Sequence, residues 1–552
     1  MKLAALFAAQ ILSWSVGAAE PTEAPAPDVN ARLVHAVTEG DLAGVQGALA
    51  AGANVNARDA SQASETILAL AAEKGALEIA SLLLKSGAEV DASAYGGATA
   101  LMLAAHQGHA KVVELLLAQG AAVDAATADG GTALIMAAQE GHAEAVKLLL
   151  AKGADVGATA SNGGTALMLA AQEGHAEVVT LLLARGAEVN AKSPGGVTVL
   201  MTAAQRGNAE VVKALLAKGA EANARTPGGV TALMAAAQQG SAEVVKLLLA
   251  KGAEADAKRD DGVTALILAA EYGHVEALKI LLKQGANVDV QSTAGLTALI
   301  QAAQHGSPEA VKLLLEKGAK VDRATTAGAT ALMMAAQNGN AEAAKVLLAK
   351  GADLRAKAPD GRTALLLAAW QGQADVLQLL LEKGAAPDDK AAGGTTALML
   401  AAQLEKADAA RVLLAKGAAV NAAATGGATA LMVAVEGGRL ETTKLLLSKR
   451  ADANGKTSDG VTSLMVAASN GRQDLVELLL AGGADANAKR TDNGGTALMW
   501  AARNGHVEVV KLLLSHGADV GAKTTEGDTA LTLSEQRSQT EIAGLLRVHA
   551  AK

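Results

Sequence analysis

Two histidines three residues apart, His106 and His109 in "HQGH", have a spacing at which imidazoles can share a transition metal. A Gln-Gly pair between them reads as a turn, so the two rings are expected to straddle it rather than converge. The triplet "GKT" at Gly455–Thr457 matches the last three residues of a phosphate-binding loop, but Arg450 stands where that loop needs its first glycine. The chain contains no HExxH, no GxSxG and no dinucleotide fingerprint. Carboxylates such as Asp155 and Glu188 recur once every 33 residues, a regularity of architecture and not of a paired general acid and base. With no cysteine, thiolate ligands, disulfides and a lipid-modified cysteine are excluded. No catalytic residue, metal ligand or cofactor is assigned, and the chain is not expected to be an enzyme.

Side chains that bind rather than react are more informative. After a repeated "AA" comes a polar pair, with Gln139, Gln172, Gln205, Gln238, Gln304 and Gln337 in its first place. Glutamines one repeat apart form a ladder of amides able to hydrogen-bond an extended ligand. In a chain with only 1% aromatic residues, Tyr272 and Trp370 occupy this pair too, with His305 between them. Aromatic side chains dominate binding hot spots, so these three are the expected centre of partner contact. Trp500 falls one slot earlier, where most repeats carry Leu or Met, and is expected in the core.

The elements that must position these residues follow from the repetition. Thr66, Thr99, Thr132 and their successors recur in steps of 33 as far as Thr462, then come Thr496, after one extra residue, and Thr529. "ARLVHAVTEG" at Ala31–Gly40 fits the same frame without its threonine, giving sixteen repeats. In each, the threonine is placed to cap a first helix such as "ALIMAAQE", and Gly141 to stop it. The following position, His142 or elsewhere Asn208, Ser241, Ser307 and Asn340, is expected to open a second helix. Val146, Leu149 and Leu150 give that helix its apolar stripe. One such unit cannot bury its own stripe, whereas stacked units can.

These residues resemble the ankyrin repeat family. Its 33-residue pattern of G-x-T-P-L-H, A-A, G-H, V-V, L-L and G-A-D-V-N-A is matched at most positions from about Ala31 to Val548. Two departures recur: the family's proline is Ala or Val (Ala133, Ala166, Val199), and the histidine after it is mostly Met, Ile or Leu. The resemblance implies an all-α solenoid of helix-turn-helix repeats joined by short hairpin turns. It also implies that His109, His142, His175, His274 and His506 hold a structural slot, and that partners meet the hairpin tips and the first-helix face. The hairpins are mostly small residues, with basic exceptions at Lys192, Arg225, Lys258, Arg259, Lys357, Lys456, Lys489 and Arg490.

The ends differ from the middle. "MKLAALFAAQILSWSVGAAE" has a cationic start, an apolar stretch from Leu3 to Val16 and small residues before Glu20, so residues 1–19 read as a signal peptide. Residues 20–30, beginning "EPTEAPAPD", read as an extended spacer. The array is expected over 31–548, with capping repeats at 31–65 and 529–548 and a tail at 549–552. Between 384 and 455, Pro387 replaces a usual Val, and Glu405 and Arg450 replace turn glycines, so this is the expected weak stretch. A net charge of −8 gives no field favouring nucleic acid, and stable membrane insertion is not expected. The sequence therefore predicts an exported, non-catalytic scaffold that binds one or more proteins without needing to oligomerise. The periplasm is the first expectation for its location and full secretion the second. A secreted effector of another organism's proteins and a structural partner of an envelope enzyme are the alternative functions.

Overall fold

The computed structural model of the chain describes residues 28–59, 65–94 and 96–551. The stretch expected to be a signal peptide, and the expected spacer up to residue 27, lie outside the described residues. Residues 132–153 show how one repeat forms. Thr132 is extended (φ −106°, ψ 165°), and its hydroxyl oxygen accepts the N–H of Ile135 at 3.3 Å, satisfying one orphan donor of the helix Ala133–Glu140. The same cap recurs from Thr66 to Thr529. Alanine and leucine, both strong helix formers, carry the helix to Gly141, whose φ of 80° ends it in the left-handed region. A second helix, Ala143–Ala151, follows and is closed by Gly153. Ala133, Leu134, Ile135, Ala137 and Ala138 of the first helix are buried, as are Ala145, Val146, Leu149 and Leu150 of the second. Burying each Val or Leu side chain contributes roughly 1.5–3 kcal/mol. Many aliphatic layers thus replace the aromatic core this composition lacks.

Sixteen such pairs run from Val29–Glu39 to Thr540–Ala550, in two compact units divided between Pro194 and Gly195. Within each unit, first helices pack on first helices of adjacent repeats and second helices on second helices. Alanines at the first-helix contacts, such as Ala137 and Ala138, let the backbones approach closely. The connecting hairpins form little ladder: Arg58–Asp59 pairs antiparallel with Glu65–Thr66, and single bridges join Ala126 to Thr132 and Ala423 to Thr429.

Two polar links tie successive repeats. The imidazole Nε2 of His142 meets the backbone oxygen of His106 at 2.9 Å, and His109, His175, His274 and His506 make the same bond to Glu73, Gln139, Gln238 and Ser469. Each bond satisfies a carbonyl that the end of a first helix leaves without an intrahelical partner. The slot does open the second helix, but only Ser307 caps it as expected, accepting the N–H of Ala310; Asn340 instead donates backwards to the carbonyls of Ala303 and Gln304.

The second link lies in the hairpins. A side-chain oxygen of Asp91, Asp124, Asn223, Asp256, Asp289, Asp322, Asp388, Asn421, Asn454 and Asn487 accepts a backbone N–H from the next hairpin, at 2.6–3.0 Å. Gly157 and Arg355 interrupt this ladder, because neither side chain can accept. Arg355→Asn is expected to stabilise the array by about 0.5–1 kcal/mol by giving the N–H of Ala386 an acceptor. An unchanged urea midpoint in that variant would show that the ladder contributes nothing at this junction.

The stretch from 384 to 455 departs from the frame where the sequence predicts. Glu405 (φ 56°) and Arg450 (φ 62°) hold left-handed turns that glycine holds elsewhere, and Ser538 in the last repeat does the same (φ 58°). The second helix Leu440–Ser448 adds a feature the sequence reading missed. Thr442 and Thr443, both fully buried, take the places of paired valines such as Val244 and Val245. Thr443 donates to the carbonyl of Arg439 at 2.7 Å, whereas the buried Thr442 hydroxyl has no hydrogen-bond partner. At the C-terminal cap, Glu535, Gln536 and Arg537 are exposed while Ser534 is buried and bonds to the carbonyl of Leu531.

Candidate interaction surface

All six glutamines lie at or near the C-terminal ends of first helices, with Gln139 and Gln172 in the first unit and Gln205, Gln238, Gln304 and Gln337 in the second. Gln139, Gln205 and Gln238 are exposed; Gln172, Gln304 and Gln337 are half-buried. Among the described residues none of these amides bonds to another. Gln139 and Gln172 donate to the adjacent Glu140 and Glu173, and Gln238 donates to the Tyr272 hydroxyl at 3.3 Å. Any extended ligand would therefore meet separate amides and not a bonded ladder.

Tyr272 is 50% exposed and Trp370 39%, and both follow from position: the end of a first helix projects beyond the packed layer. The Tyr272 ring lies nearly parallel to that of His274, with centroids 6.2 Å apart, and His274 is itself bonded to the backbone of Gln238. The tyrosine is thus fixed at both ring and hydroxyl before any partner arrives. His305 is exposed one repeat later in the equivalent place, and Trp370 stands on the helix Ala364–Gln371. Among the described residues the structure pairs Tyr272 with His274 and not with His305 or Trp370. The three form a row of separate contacts.

Other sequence candidates resolve differently. His106 and His109 do not converge: His109 bonds back to Glu73, while Nδ1 of His106 lies 4.0 Å from a Glu140 oxygen. Among the described residues no three His, Asp or Glu side chains are grouped to hold a metal ion. The basic hairpin residues are partly neutralised at home. Arg259 pairs with Asp261, an arrangement that lowers the carboxyl pKa chiefly through the guanidinium hydrogen bond. Arg490 pairs with both Asp459 and Asp492. Lys192, Lys258, Lys357, Lys456 and Lys489 are exposed. Trp500 corrects the sequence reading, for it is half-buried and not part of the core. Its slot faces the space beneath the hairpins, where Met136 and Val466 are half-buried too.

The comparison with known families now decides what this architecture is. The sequence model described as ankyrin repeats (3 copies) matches residues 33–127, 118–193, 188–259, 251–325, 322–391, 386–459 and 464–552. The chain belongs to the ankyrin repeat family. An ankyrin repeat array is a protein–protein interaction scaffold, and such arrays are generally non-catalytic. No curated protein sequence matches the chain. The crystallised ankyrin repeat domain of human ASB11 is 34% identical; the match covers 40% of this chain and 98% of that one, with a TM-score of 0.37. Among the described residues, no helix of this ankyrin array is long and apolar enough to cross a membrane.

Proposed function

We propose that the chain is an exported, non-catalytic ankyrin scaffold that binds its partner through the first-helix ends and hairpin tips of the second unit. The observation that carries this reading is the pair of exposed aromatics, Tyr272 and Trp370, in a protein that spends almost no aromatic residues on its core. Large rings left at the surface gain most of their binding free energy when a partner desolvates them. His305 and the glutamines around them supply hydrogen bonds to orient that partner. Export rests on the signal-peptide pattern of residues 1–19, and the periplasm is the proposed compartment.

Crosslinking and capture in separated cell fractions test both parts. The parent chain is expected to retain a protein partner in the envelope fraction, and a Tyr272→Ala/Trp370→Ala variant to lose it at least tenfold while unfolding at the same urea concentration. Equal capture by parent and variant would move contact away from these rings. A partner found only outside the producing cell would favour the effector role.

A further inference from the structure

A second, more specific site lies at the far end of the second unit, around Trp500. The hairpin before its repeat is one residue longer than the 33-residue frame, so that Thr496 follows Thr462 by 34 positions. The indole borders two adjoining clefts. One, of about 550 Å³, is lined by Met499, Leu533, Arg503 and the hairpin residues Asn493 and Thr524–Glu526. The other, of about 510 Å³, is lined by Glu436, Met465, Val466, Ser469 and Arg490. Val466, Trp500 and Leu533 hold one slot in three successive repeats and form the floor. At Gly495 an added Cβ would stand 3.7 Å from the indole Nε1, in ordinary van der Waals contact, and no acceptor among the described residues bonds that N–H.

Charge then restricts what fits. The Arg503 guanidinium sits 5.7 Å from the Trp500 ring centroid and pairs with no carboxylate among the described residues. Arg490 is held by two carboxylates, Asp459 and Asp492, whereas Asp528 accepts hydrogen bonds only from the neutral Thr532 and Gln536 and pairs with no cation among the described residues, so its charge is uncompensated. Glu436 and Glu526 are exposed and have no ionic partner among the described residues. The free charges along the groove therefore read negative at Glu436, positive at Arg503 and negative again at Glu526 and Asp528. Glu436 precedes Arg503 by two repeats, about 20 Å at the usual helix-packing distance, and Glu526 stands about one repeat beyond. At about 3.3 Å per residue, an extended chain covers these distances in about six and about three residues.

We propose that this groove receives an extended segment of a partner protein in which an acidic residue, next to an apolar one, is flanked by basic residues about six positions to one side and about three to the other. The acidic side chain meets Arg503, the apolar side chain lies on Trp500, and the indole N–H donates to a backbone carbonyl of the segment. This deepens the scaffold reading but does not depend on Tyr272 or Trp370.

The test uses the full chain and a fluorescein-labelled ten-residue peptide with lysine at each end, Leu-Glu at the sixth and seventh places and Ser or Ala elsewhere, together with its reverse. Fluorescence anisotropy is expected to show at least one direction bound at least tenfold more tightly than its counterpart with Lys in place of Glu. Arg503→Glu should reverse that preference. Trp500→Leu, which installs a residue the slot carries at Leu169 and Leu533, should weaken binding at least tenfold with the fold intact by circular dichroism. Equal affinity for both charge forms, no reversal in Arg503→Glu, unchanged binding by Trp500→Leu, or no binding by the parent would each overturn the proposal. The scaffold reading would then still stand or fall on the Tyr272/Trp370 capture.

Discussion

Replacing Glu405 and Arg450 by glycine and Thr442 by valine in one chain is expected to raise the local stability of residues 396–461 by about 2–4 kcal/mol. Each left-handed non-glycine turn costs roughly 1–2 kcal/mol, of which the added freedom of an unfolded glycine returns roughly 0.5–1. The buried Thr442 hydroxyl without a partner costs roughly 1–3 kcal/mol, and valine removes that cost at the same shape. Loss of the Arg439–Glu405 contact, at 3.7 Å and partly exposed, subtracts little. Because a repeat array opens locally, the effect is best read by amide hydrogen exchange and not by one global midpoint. Protection of the helices Ala397–Gln403 and Leu440–Ser448 should increase about 30- to 1,000-fold, at about 1.4 kcal/mol per tenfold. Uniform protection along the parent array, with no gain in the variant, would show that this stretch is not the weak one.

A second large effect comes from two glycines with nearly the same backbone angle. Gly141 has φ 80° and Gly153 has φ 87°, so alanine is strained at both. Their surroundings differ. A Cβ on Gly153 would meet nothing within 4 Å, whereas one on Gly141 would stand 2.4 Å from Nδ1 of His175. That ring carries the bond to the Gln139 carbonyl, so alanine at 141 must push the imidazole away and break the link between repeats. Gly153→Ala is expected to cost about 1 kcal/mol from conformational strain alone. Gly141→Ala should cost about 3 kcal/mol, adding a lost hydrogen bond and a displaced ring to the same strain. Urea unfolding of the two variants decides the matter. Equal losses would mean that the glycine is there only for its backbone angle.

How far the sequence alone reaches depends on the range of the interaction. The threonine caps, glycine stops and apolar stripes are set within a few residues of chain, and each was legible from spacing. The Asp and Asn ladder was equally visible as a 33-residue period ending in Asp91, Asp124, Asn223 and their successors, but its partners lie 31 residues ahead, and spacing alone does not reveal them. Trp500 departs from the expected core position because its slot, though usually filled by Leu or Met, lies under a hairpin that leaves it half open. The Thr442 defect is silent in sequence, since Thr and Val have the same shape and differ only in whether a hydroxyl finds an acceptor. For Arg259 and Arg490 a signal was present, an aspartate two residues on in each case, and it accounts for much of the neutralised hairpin charge.

The two inter-repeat links run in opposite senses, the imidazole of a later repeat reaching back to a carbonyl while the Asp or Asn of an earlier one reaches forward to an N–H. Parting any junction that carries both links therefore leaves an acceptor on one face and a donor on the other, a matched pair of ends. Such ends favour correct reannealing, and they would equally invite one molecule to add to another. At the last hairpin the ladder position is Gly521, which has no side-chain acceptor to offer. A hairpin added there, from whatever molecule, would lack that contact just as the hairpins after Gly157 and Arg355 do, so end-to-end growth would rest on the imidazole link and apolar packing alone.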